Sequence, residues 1–347
     1  MHNGEPFFNA PISEEDIARD FGGLEIRYCD SKGLLSLRKA LVDHYQNSFS
    51  INDIIVTHGA VGAINLSLEA VLSQGDEVVV IDPAWPQYAT RSEGLGAKVV
   101  RAKVDEVTGK ITAKTLSSYF SENTKVVIIN NPVNPTGIVY AEDEIAQFLK
   151  LSEPGIYFLF DEVYDKYIYS FSFTPLVLQE EFQKYRDSII YVNSFSKTYA
   201  MTGYRLGYCV LPQNLQSKTL AISQNSLTCI SPLLQSIGKS VLINSNSFDA
   251  EFREYLSILE RRKNELEQVF VSRGIPFIKP EGAFYFFFKT KSHADKTVED
   301  ILNNFRISLV PGSGYGKGFE DYIRICYSTS EYSYSKFRDL LENYDFY

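Results

Sequence analysis

Short apolar runs alternate with amphipathic stretches between residues 50 and 211, and this alternation limits the possible folds more than any other feature. The runs are rich in valine, isoleucine and aromatic residues without polar–apolar alternation, which is typical of strands buried on both faces. Stretches such as 60–73 and 142–151 lie between them with helical spacing. The pattern predicts an α/β fold with a mostly parallel sheet flanked by helices. The predicted strands are 54–57, 77–82, 98–101, 125–130, 156–161, 188–193 and 206–211.

The alternation of apolar runs and amphipathic stretches ends after Pro232. Apolar residues at helical spacing predict one long helix over 248–273, followed by strands at 283–288, 307–310 and 322–328 and by helices at 297–305 and from 331 onward. The first 30 residues show little periodicity and are expected to form an arm or an edge. We therefore predict a large domain over 34–240, and a smaller α+β domain with an amino-terminal arm over 1–33 and 241–347.

Composition excludes several classes of function. The chain has 347 residues, with 34 Lys and Arg against 43 Asp and Glu, so its net charge is −9. Nucleic acids and anionic membranes attract basic surfaces, so neither is an expected partner. No apolar run approaches the roughly 20 residues of a membrane span, and the first residues do not resemble a signal peptide. Four cysteines without CxxC spacing predict free thiols, no metal site and a cytoplasmic location.

Four segments place chemically distinctive residues just after predicted strands. In parallel sheets, ligands bind beyond the carboxyl ends of the strands. The segments are THGAVGA at 57–63, NNPVNPTG at 130–137, DEVY at 161–164 and SFSKTYAMTGYRLGY at 194–208. They are expected to meet at one edge of the sheet.

Each segment can be interpreted either as part of a functional site or as ordinary local structure. Lys197 could be an ordinary solvated surface lysine, but its hydroxyl and aromatic neighbours favour desolvation, which lowers an amine's pKa and makes it nucleophilic. Asp161 at a strand end needs a cationic or donor partner, unless it caps a helix with Glu162 in the first turn. Asn134 either points its amide into the crevice or only shapes a turn. Gly59 either lets backbone N–H groups reach an anion or is an ordinary strand–helix turn.

Together the segments resemble the aminotransferase class I and II family, which has the aspartate aminotransferase fold. The pattern SFSKxxxMxGxRxGY over 194–208 carries the resemblance, with NPxNPTG and DExY upstream in the same order. The resemblance implies a pyridoxal 5'-phosphate cofactor and transfer of an amino group from an L-amino acid to a 2-oxo acid. It also implies a homodimer with a shared active site.

The resemblance further implies a role for individual residues toward the cofactor. Lys197 would form the Schiff base and move a proton during the reaction, and Asp161 would bind the protonated pyridine nitrogen. Tyr164 and Asn134 would hydrogen-bond the ring oxygen, and Trp85 would stack on the ring, with a core tryptophan as the alternative. Phosphate contacts would come from Ser194, Ser196, Arg205, the backbone of Gly59, Ala60 and Val61, and Tyr28 of the neighbouring subunit.

Two further residues would bind the substrate. Arg324, between two isoleucines in a predicted strand, matches the arginine that pairs with the α-carboxylate, together with Asn134. An unpaired buried charge costs several kcal/mol, roughly, so such an arginine needs an anionic partner. Gly4 would line the substrate site through its backbone. Because Gly4 lies near the first Met, the usual amino-terminal helix of the family is expected to be absent.

Other functions remain open from the sequence alone. A carbon–sulfur lyase or an amino-acid decarboxylase would use the same positions with the same cofactor. A non-catalytic regulator would need a DNA-binding module, for which the chain shows no segment. A nicotinamide-dependent oxidoreductase shares the broad fold class, but no GxGxxG follows the first strand.

Overall fold

The computed structural model describes residues 1–22, 25–169 and 171–347. The helices are α1 (Glu14–Gly22), α2 (Leu35–His44), α3 (Gly59–Val71), α4 (Gln87–Gly94), α5 (Ala113–Ser117), α6 (Glu142–Leu149), α7 (Glu180–Lys184), α8 (Phe195–Thr198), α9 (Gln213–Leu227), α10 (Pro232–Ile243), α11 (Ser245–Ser272), α12 (Ala294–Phe305) and α13 (Glu331–Asn343). The strands are β1 (Ile54–His58), β2 (Glu77–Asp82), β3 (Lys98–Lys103), β4 (Thr124–Asn130), β5 (Tyr157–Asp161), β6 (Ile189–Ser194), β7 (Leu206–Val210), β8 (Phe277–Ile278), β9 (Tyr285–Lys289), β10 (Val310–Pro311) and β11 (Tyr322–Cys326).

Seven strands form one sheet in the order β1-β7-β6-β5-β4-β2-β3. Only β7 runs antiparallel to its neighbours, so the predicted mostly parallel sheet is confirmed. Asn130 at the end of β4 pairs in register with Asp161 at the end of β5, and Asp161 pairs with Val192 in β6. The carboxyl ends of these strands, and the chemistry that follows them, therefore share one edge.

Both faces of this sheet are buried, as the unbroken apolar runs predict. Val79, Val127 and Phe158 contribute to one hydrophobic core, which extends to α2, α6 and α10. Val78 and Val126, one residue away in sequence, contribute to the opposite core with α3. The helices on the two faces exclude water from the strands, and the sheet is thereby a rigid platform for its edge residues.

A second, smaller sheet has the order β10-β11-β9-β8 and is antiparallel throughout. Helices α11 and α13 pack together beside it, which matches the α+β character expected after Pro232. The proposed boundary after residue 240 falls inside α10, and the division into two domains stays a prediction. In the described ranges no helix is long and apolar enough to cross a bilayer.

Two local predictions differ from the structure. The first 30 residues include α1, which begins after Ser13 with reciprocal bonds: Ser13 Oγ accepts from the Asp16 N–H at 3.1 Å, and Asp16 Oδ2 accepts from the Ser13 N–H at 3.2 Å. This capping pattern was the signal available in the sequence. Near 307–310, only Val310 and Pro311 pair as a strand, because β10 meets β11 over just two residues.

A close backbone approach beneath the site joins β7 to the start of α3. A Cβ atom added at Gly207 would lie 2.5 Å from the carbonyl carbon of Gly59. Gly59 itself has a φ of +65°, which L-residues rarely adopt. The sequence therefore requires glycine at both positions for α3 to begin against β7.

We predict that Gly207→Ala lowers the free energy of unfolding by about 1–3 kcal/mol, because the added methyl group forces two backbone segments apart. Urea unfolding followed by circular dichroism measures the change. Gly203→Ala is the matched control, since no atom lies within 4 Å of its added Cβ; it should stay within about 0.5 kcal/mol of the unaltered protein. Equal stability of both variants would contradict the tight approach.

Candidate active site

A cavity of about 500 Å³ lies at the carboxyl edge of the large sheet, facing the small sheet. Strand ends and the turns after them form its floor, while β9 and β11 supply the opposite wall. The structure brings nearly all the predicted site residues into its lining: Gly4, Ala60, Val61, Trp85, Asn134, Asp161, Tyr164, Ser194, Ser196, Lys197, Arg205 and Arg324. Two predicted residues, Gly59 and Tyr28, are absent from this lining.

Lys197 lies in α8, directly after β6, and its amine faces the cavity. Burial lowers the pKa of this amine to about 8; Arg205 and Arg324 act in the same direction, whereas Cys326 and Glu5 act against it. Nζ donates a hydrogen bond to the carbonyl oxygen of Gly4. In a fraction of the molecules Lys197 is therefore an uncharged amine near neutral pH, and the uncharged amine is the nucleophilic form.

The backbone that carries Lys197 is anchored from below by buried polar groups. Tyr167 donates its hydroxyl to the Lys197 carbonyl at 2.7 Å. Thr198 Oγ1 donates to Asp165 Oδ1 at 3.2 Å, and Asn193 Nδ2 donates to Asp165 Oδ2 at 3.0 Å. These bonds fix the turn between β6 and α8, so the amine projects from a rigid support.

Asp161 ends β5 on the cavity floor and is 4 % exposed. Tyr88 donates its hydroxyl to Asp161 Oδ2 at 2.7 Å, and the Val163 N–H donates to Oδ1 at 3.3 Å. Burial raises the pKa of the carboxyl to about 6, although these donors and Lys197 lower it. No helix begins here, so the alternative of an N-cap is wrong; the Glu162 side chain instead accepts from the Leu176 N–H at 3.0 Å.

Arg324 lies in the middle of β11 and is 6 % exposed, between fully buried Ile323 and Ile325. Nη1 donates to Asn134 Oδ1 at 3.1 Å, and Nη2 donates to the carbonyl of His2. Its Nε has no hydrogen-bond partner, and no carboxylate in the described part of the chain forms an ion pair with it. A buried guanidinium with an unpaired nitrogen is suited to a carboxylate ligand.

Two tyrosine rings hold the Arg324 guanidinium from its faces. Its central carbon lies 4.6 Å from the ring centre of Tyr285 and 5.6 Å from that of Tyr315. Tyr285 also exchanges a hydrogen bond with the hydroxyl of Tyr164 at 2.8 Å. These cation–π contacts orient the charge toward the cavity without neutralising it.

Arg205 reaches the cavity beside the amino end of α3. It has a φ of +53°, and its Nη1 donates to the Thr202 carbonyl at 2.8 Å. A Cβ added at Gly59 would come within 2.9 Å of Arg205 Nη2, so glycine keeps this space open. The first N–H groups of α3 and the guanidinium thus surround one end of the cavity, an arrangement that favours an anion.

The remaining wall residues are Asn134, Tyr164 and Trp85. Asn134 uses Oδ1 to accept from Arg324, so its amide nitrogen is the group left to donate to a ligand. Trp85 is half-buried and meets Tyr88 edge to face, with 5.3 Å between ring centres. Its indole is therefore a cavity wall as well as a contact of the core.

The amino-terminal segment lies across the cavity and touches it through the backbone. The carbonyls of His2 and Gly4 accept from Arg324 and Lys197, respectively. A Cβ at Gly4 would lie 2.1 Å from the hydroxyl oxygen of Tyr285, so the segment fits only because this residue is glycine. The predicted backbone position of Gly4 agrees with this placement.

Tyr28 is 87 % exposed and does not line the cavity of its own chain. Its predicted contact is with the site of a neighbouring subunit, and that contact stays a prediction. Sequence reasoning missed three tyrosines that do line the cavity, Tyr88, Tyr285 and Tyr315. For Tyr88 a signal existed, because it lies one helical turn after Trp85.

The charges in the cavity match a phosphorylated pyridine aldehyde. Arg205 and the start of α3 form an anion site at one end, and Asp161 offers a buried carboxylate for a protonated ring nitrogen. Between them, Lys197 presents an amine for an aldehyde, while the unpaired Nε of Arg324 marks a second anion site. The residues present therefore fit pyridoxal phosphate together with a carboxylate substrate.

Comparison with known proteins gives the same picture. The family model "Aminotransferase class I and II" matches residues 12–337. An aspartate aminotransferase of Thermotoga maritima is 30% identical over 98% of this chain and 89% of its own length. Aromatic-amino-acid aminotransferase 2 of Thermococcus litoralis is 30% identical over 98% of this chain and 88% of its own length. The solved aspartate aminotransferase from Thermus thermophilus with maleate has a TM-score of 0.91, with 26% identity, covering 98% of this chain and 90% of that chain.

We predict that Lys197 of the cofactor-free protein is acetylated at a rate that reaches half its maximum near pH 8, because burial favours the uncharged amine. Below that pH the amine is protonated and unreactive; above it the rate reaches a plateau. Brief labelling with acetic anhydride at a series of pH values, followed by peptide mass spectrometry, measures the profile. Lys218, which is exposed on α9, is the internal control. Coincident profiles for the two lysines would contradict the desolvated environment.

Proposed function

Because the chain belongs to the aminotransferase class I and II family, we propose that the cavity is the active site in which an amino group passes from an L-amino acid to a 2-oxo acid. The chain is a pyridoxal-phosphate-dependent aminotransferase, in keeping with its family and its curated relatives. The observation that carries the assignment of the site is the buried amine of Lys197, with its lowered pKa, facing the same cavity as Asp161 and Arg324.

Lys197 carries the proton chemistry in this proposal. When bound, pyridoxal phosphate supplies an aldehyde that takes up the amino group and a ring that withdraws electrons from the substrate. The uncharged Nζ of Lys197 is the nucleophile that attaches to the chain's cofactor. Once free, the same nitrogen would take the proton from the substrate α-carbon and deliver it to the cofactor carbon that had carried the aldehyde. A positioned general base of this kind contributes roughly 10²–10⁴-fold to the rate.

Asp161 holds the proton on the ring nitrogen. A pKa of about 6 leaves this carboxyl mostly ionised at neutral pH, and a cationic partner would favour the ionised form further. The hydroxyl of Tyr88 fixes Oδ2 and so orients the carboxylate toward the cavity. The buried carboxylate of Asp161 would thus keep a positive charge on the ring nitrogen above the cavity floor.

Binding of the phosphate is assigned to the end of the cavity near α3. Arg205 supplies a planar fork of donors, which suits phosphate geometry. Hydroxyls of Ser194 and Ser196 and the N–H groups of Ala60 and Val61 complete the contacts, with Gly59 leaving the necessary space. We assign the contact with the ring oxygen to Tyr164 and Asn134, and the stacking wall to Trp85.

Arg324 is assigned to the substrate α-carboxylate. Its Nη2 now bonds the His2 carbonyl, so a bidentate carboxylate must displace that carbonyl. The carbonyl of Gly4 likewise leaves Lys197 when the amine reacts. Residues 2–5 therefore shift when substrate enters, while Asn134, Tyr285 and Tyr315 keep the guanidinium in place.

The same residues would serve a carbon–sulfur lyase or an amino-acid decarboxylase. Amino-group transfer is favoured because the curated relatives that cover nearly the whole chain are named aminotransferases. Release of ammonia with pyruvate, or of carbon dioxide, in the absence of a 2-oxo acid acceptor would favour those alternatives.

We predict that Lys197→Ala lowers amino-group transfer at least about 10²–10⁴-fold, since the general base is lost. Transfer from L-aspartate and from L-phenylalanine to 2-oxoglutarate is measured by chromatography of the amino-acid products. Circular dichroism should show an unchanged fold, and the visible absorbance of the covalently attached cofactor should vanish. Lys218→Ala, on the exposed face of α9, should retain full transfer. Substantial turnover by Lys197→Ala would refute the assignment.

We further propose a homodimer in which Tyr28 completes the site of the neighbouring subunit. The exposed position of Tyr28, outside the cavity of its own chain, supports this arrangement. If the Tyr28 hydroxyl binds the phosphate in the neighbouring subunit, Tyr28 is not expected to line the cavity of its own chain. This proposal makes a prediction about mixed dimers.

Co-expression of a Tyr28→Phe chain with a Lys197→Ala chain, under two different tags, tests the shared site. The mixed dimer contains one site with both an intact Lys197 and an intact Tyr28, so it should bind cofactor there with unaltered affinity. The Tyr28→Phe homodimer should bind more weakly, because each site loses a phosphate contact. If the mixed dimer shows only the weakened affinity, Tyr28 acts within its own chain or not at all.

A further inference from the structure

Two cysteines that are far apart in sequence lie against each other outside the active-site cavity. Cys29 follows the exposed Tyr28, and Cys229 lies in the turn between α9 and α10. They are close enough for the Cys229 thiol to raise the pKa of the Cys29 thiol. Cys29 Sγ also donates to the carbonyl of Ile230, the residue after Cys229, at 3.6 Å. Both side chains are half-buried, so a small reagent can reach them.

A buried glutamine holds the two segments together. Gln235, in α10, is 0 % exposed. Its Nε2 donates to Cys29 Sγ at 3.5 Å and to the Ile230 carbonyl at 2.8 Å. Its Oε1 accepts from the Leu34 N–H at 2.6 Å. One side chain thus bridges the Cys29 segment and the Cys229 turn, so the proximity of these two segments is a built feature of the fold.

The turn that presents Cys229 is strained. Thr228 has φ +63° and ψ −67°, and the Cys229 N–H donates to the Leu227 carbonyl at 2.7 Å. This is a γ-turn with positive φ, which is rare, and a β-branched residue is unfavourable there. Strained backbone persists where the surroundings impose it, and it is concentrated at functional positions.

The other two cysteines are placed differently. Cys209 and Cys326 are fully buried in separate strands, β7 and β11. Cys209 donates to the Ile55 carbonyl at 3.8 Å, and Cys326 donates to the Ser328 carbonyl at 3.4 Å. Among the four cysteines, all of which are described, the Cys29–Cys229 pair is therefore the one prepared for sulfur–sulfur bonding.

We propose that Cys29 and Cys229 form a reversible disulfide in response to a two-electron oxidant such as hydrogen peroxide. One thiolate attacks the peroxide, breaking its O–O bond and forming a sulfenic acid with release of water. The second thiol then attacks that sulfur, the S–S bond forms and a second water leaves. In balance, two thiols and one peroxide give one disulfide and two waters, and a dithiol reductant reverses the change.

The disulfide would join the segment that carries Tyr28 to the start of α10. Neither cysteine lines the active-site cavity, so this inference goes beyond the proposed function and does not depend on it. Burial and the contact with Cys229 raise the pKa of the Cys29 thiol. Since the thiolate is the reactive form, oxidation should accelerate as the pH increases.

The test treats the cofactor-loaded protein with hydrogen peroxide, then unfolds it in iodoacetamide and maps its peptides without reduction. We expect a single linked peptide pair, Cys29 with Cys229, while Cys209 and Cys326 are alkylated. Dithiothreitol should restore four alkylated cysteines, and the linking rate should increase between pH 7 and pH 9. Full alkylation of Cys29 and Cys229 after peroxide, a link between other cysteines or between two chains, or a rate independent of pH would overturn the proposal.

Cys29→Ser and Cys229→Ser provide matched controls. In either variant the resolving thiol is gone, so the linked pair should be absent and the remaining cysteine should be trapped as a sulfenic acid by dimedone. If peroxide gave the same stable sulfenic acids in the wild type as in the variants, Cys29 and Cys229 would be independent thiols. That result would contradict the proposed disulfide.

Discussion

Three cationic groups, Lys197, Arg205 and Arg324, converge on one cavity that also holds two carboxylates, Asp161 on its floor and Glu5 in the amino-terminal segment. Burial is the main cause of the lowered pKa of Lys197; Arg205 and Arg324 act in the same direction, while Cys326 and Glu5 oppose it. The fold tolerates this arrangement because rigid elements impose it: the turn after β6, the amino end of α3 beside β7, and the middle of β11. A phosphorylated ring with a basic nitrogen, together with a substrate carboxylate, would supply charges with which these groups can pair.

The parallel register of β4, β5 and β6 makes this convergence possible. Because Asn130, Asp161 and the residues after Ser194 leave the sheet at one edge, short turns suffice to bring distant segments together. Buried hydrogen bonds then stiffen those turns, as Tyr167 does for the carbonyl of Lys197. Precision at the site thus depends on strand registry and on polar groups that contact no ligand.

Much of the site was predictable from the sequence because its key residues follow apolar strands. Lys197, Asp161 and the Gly59 turn could be located by that rule, and Arg324 was recognisable as a charge between isoleucines. Tyr285 could not be recognised, since within an apolar run it looks like any core aromatic. Its orientation depends on the register between β9 and β11, where it pairs with Cys326. The helix α1 was missed because its periodicity is short, although its capping residues were visible.

The segment at residues 2–5 hydrogen-bonds Lys197 and Arg324 through its peptide carbonyls, and the charge of Glu5 also acts on Lys197. Contacts of this kind are indifferent to the identity of the side chains, so evolution can alter residues such as His2 or Asn3 without disturbing the cover over the cavity. Gly4 is the exception, because the hydroxyl of Tyr285 occupies the space where a side chain would stand. Insertion or deletion of one residue in this segment would be far more disruptive than substitution. It would shift the carbonyls away from their hydrogen-bond donors, Lys197 and Arg324.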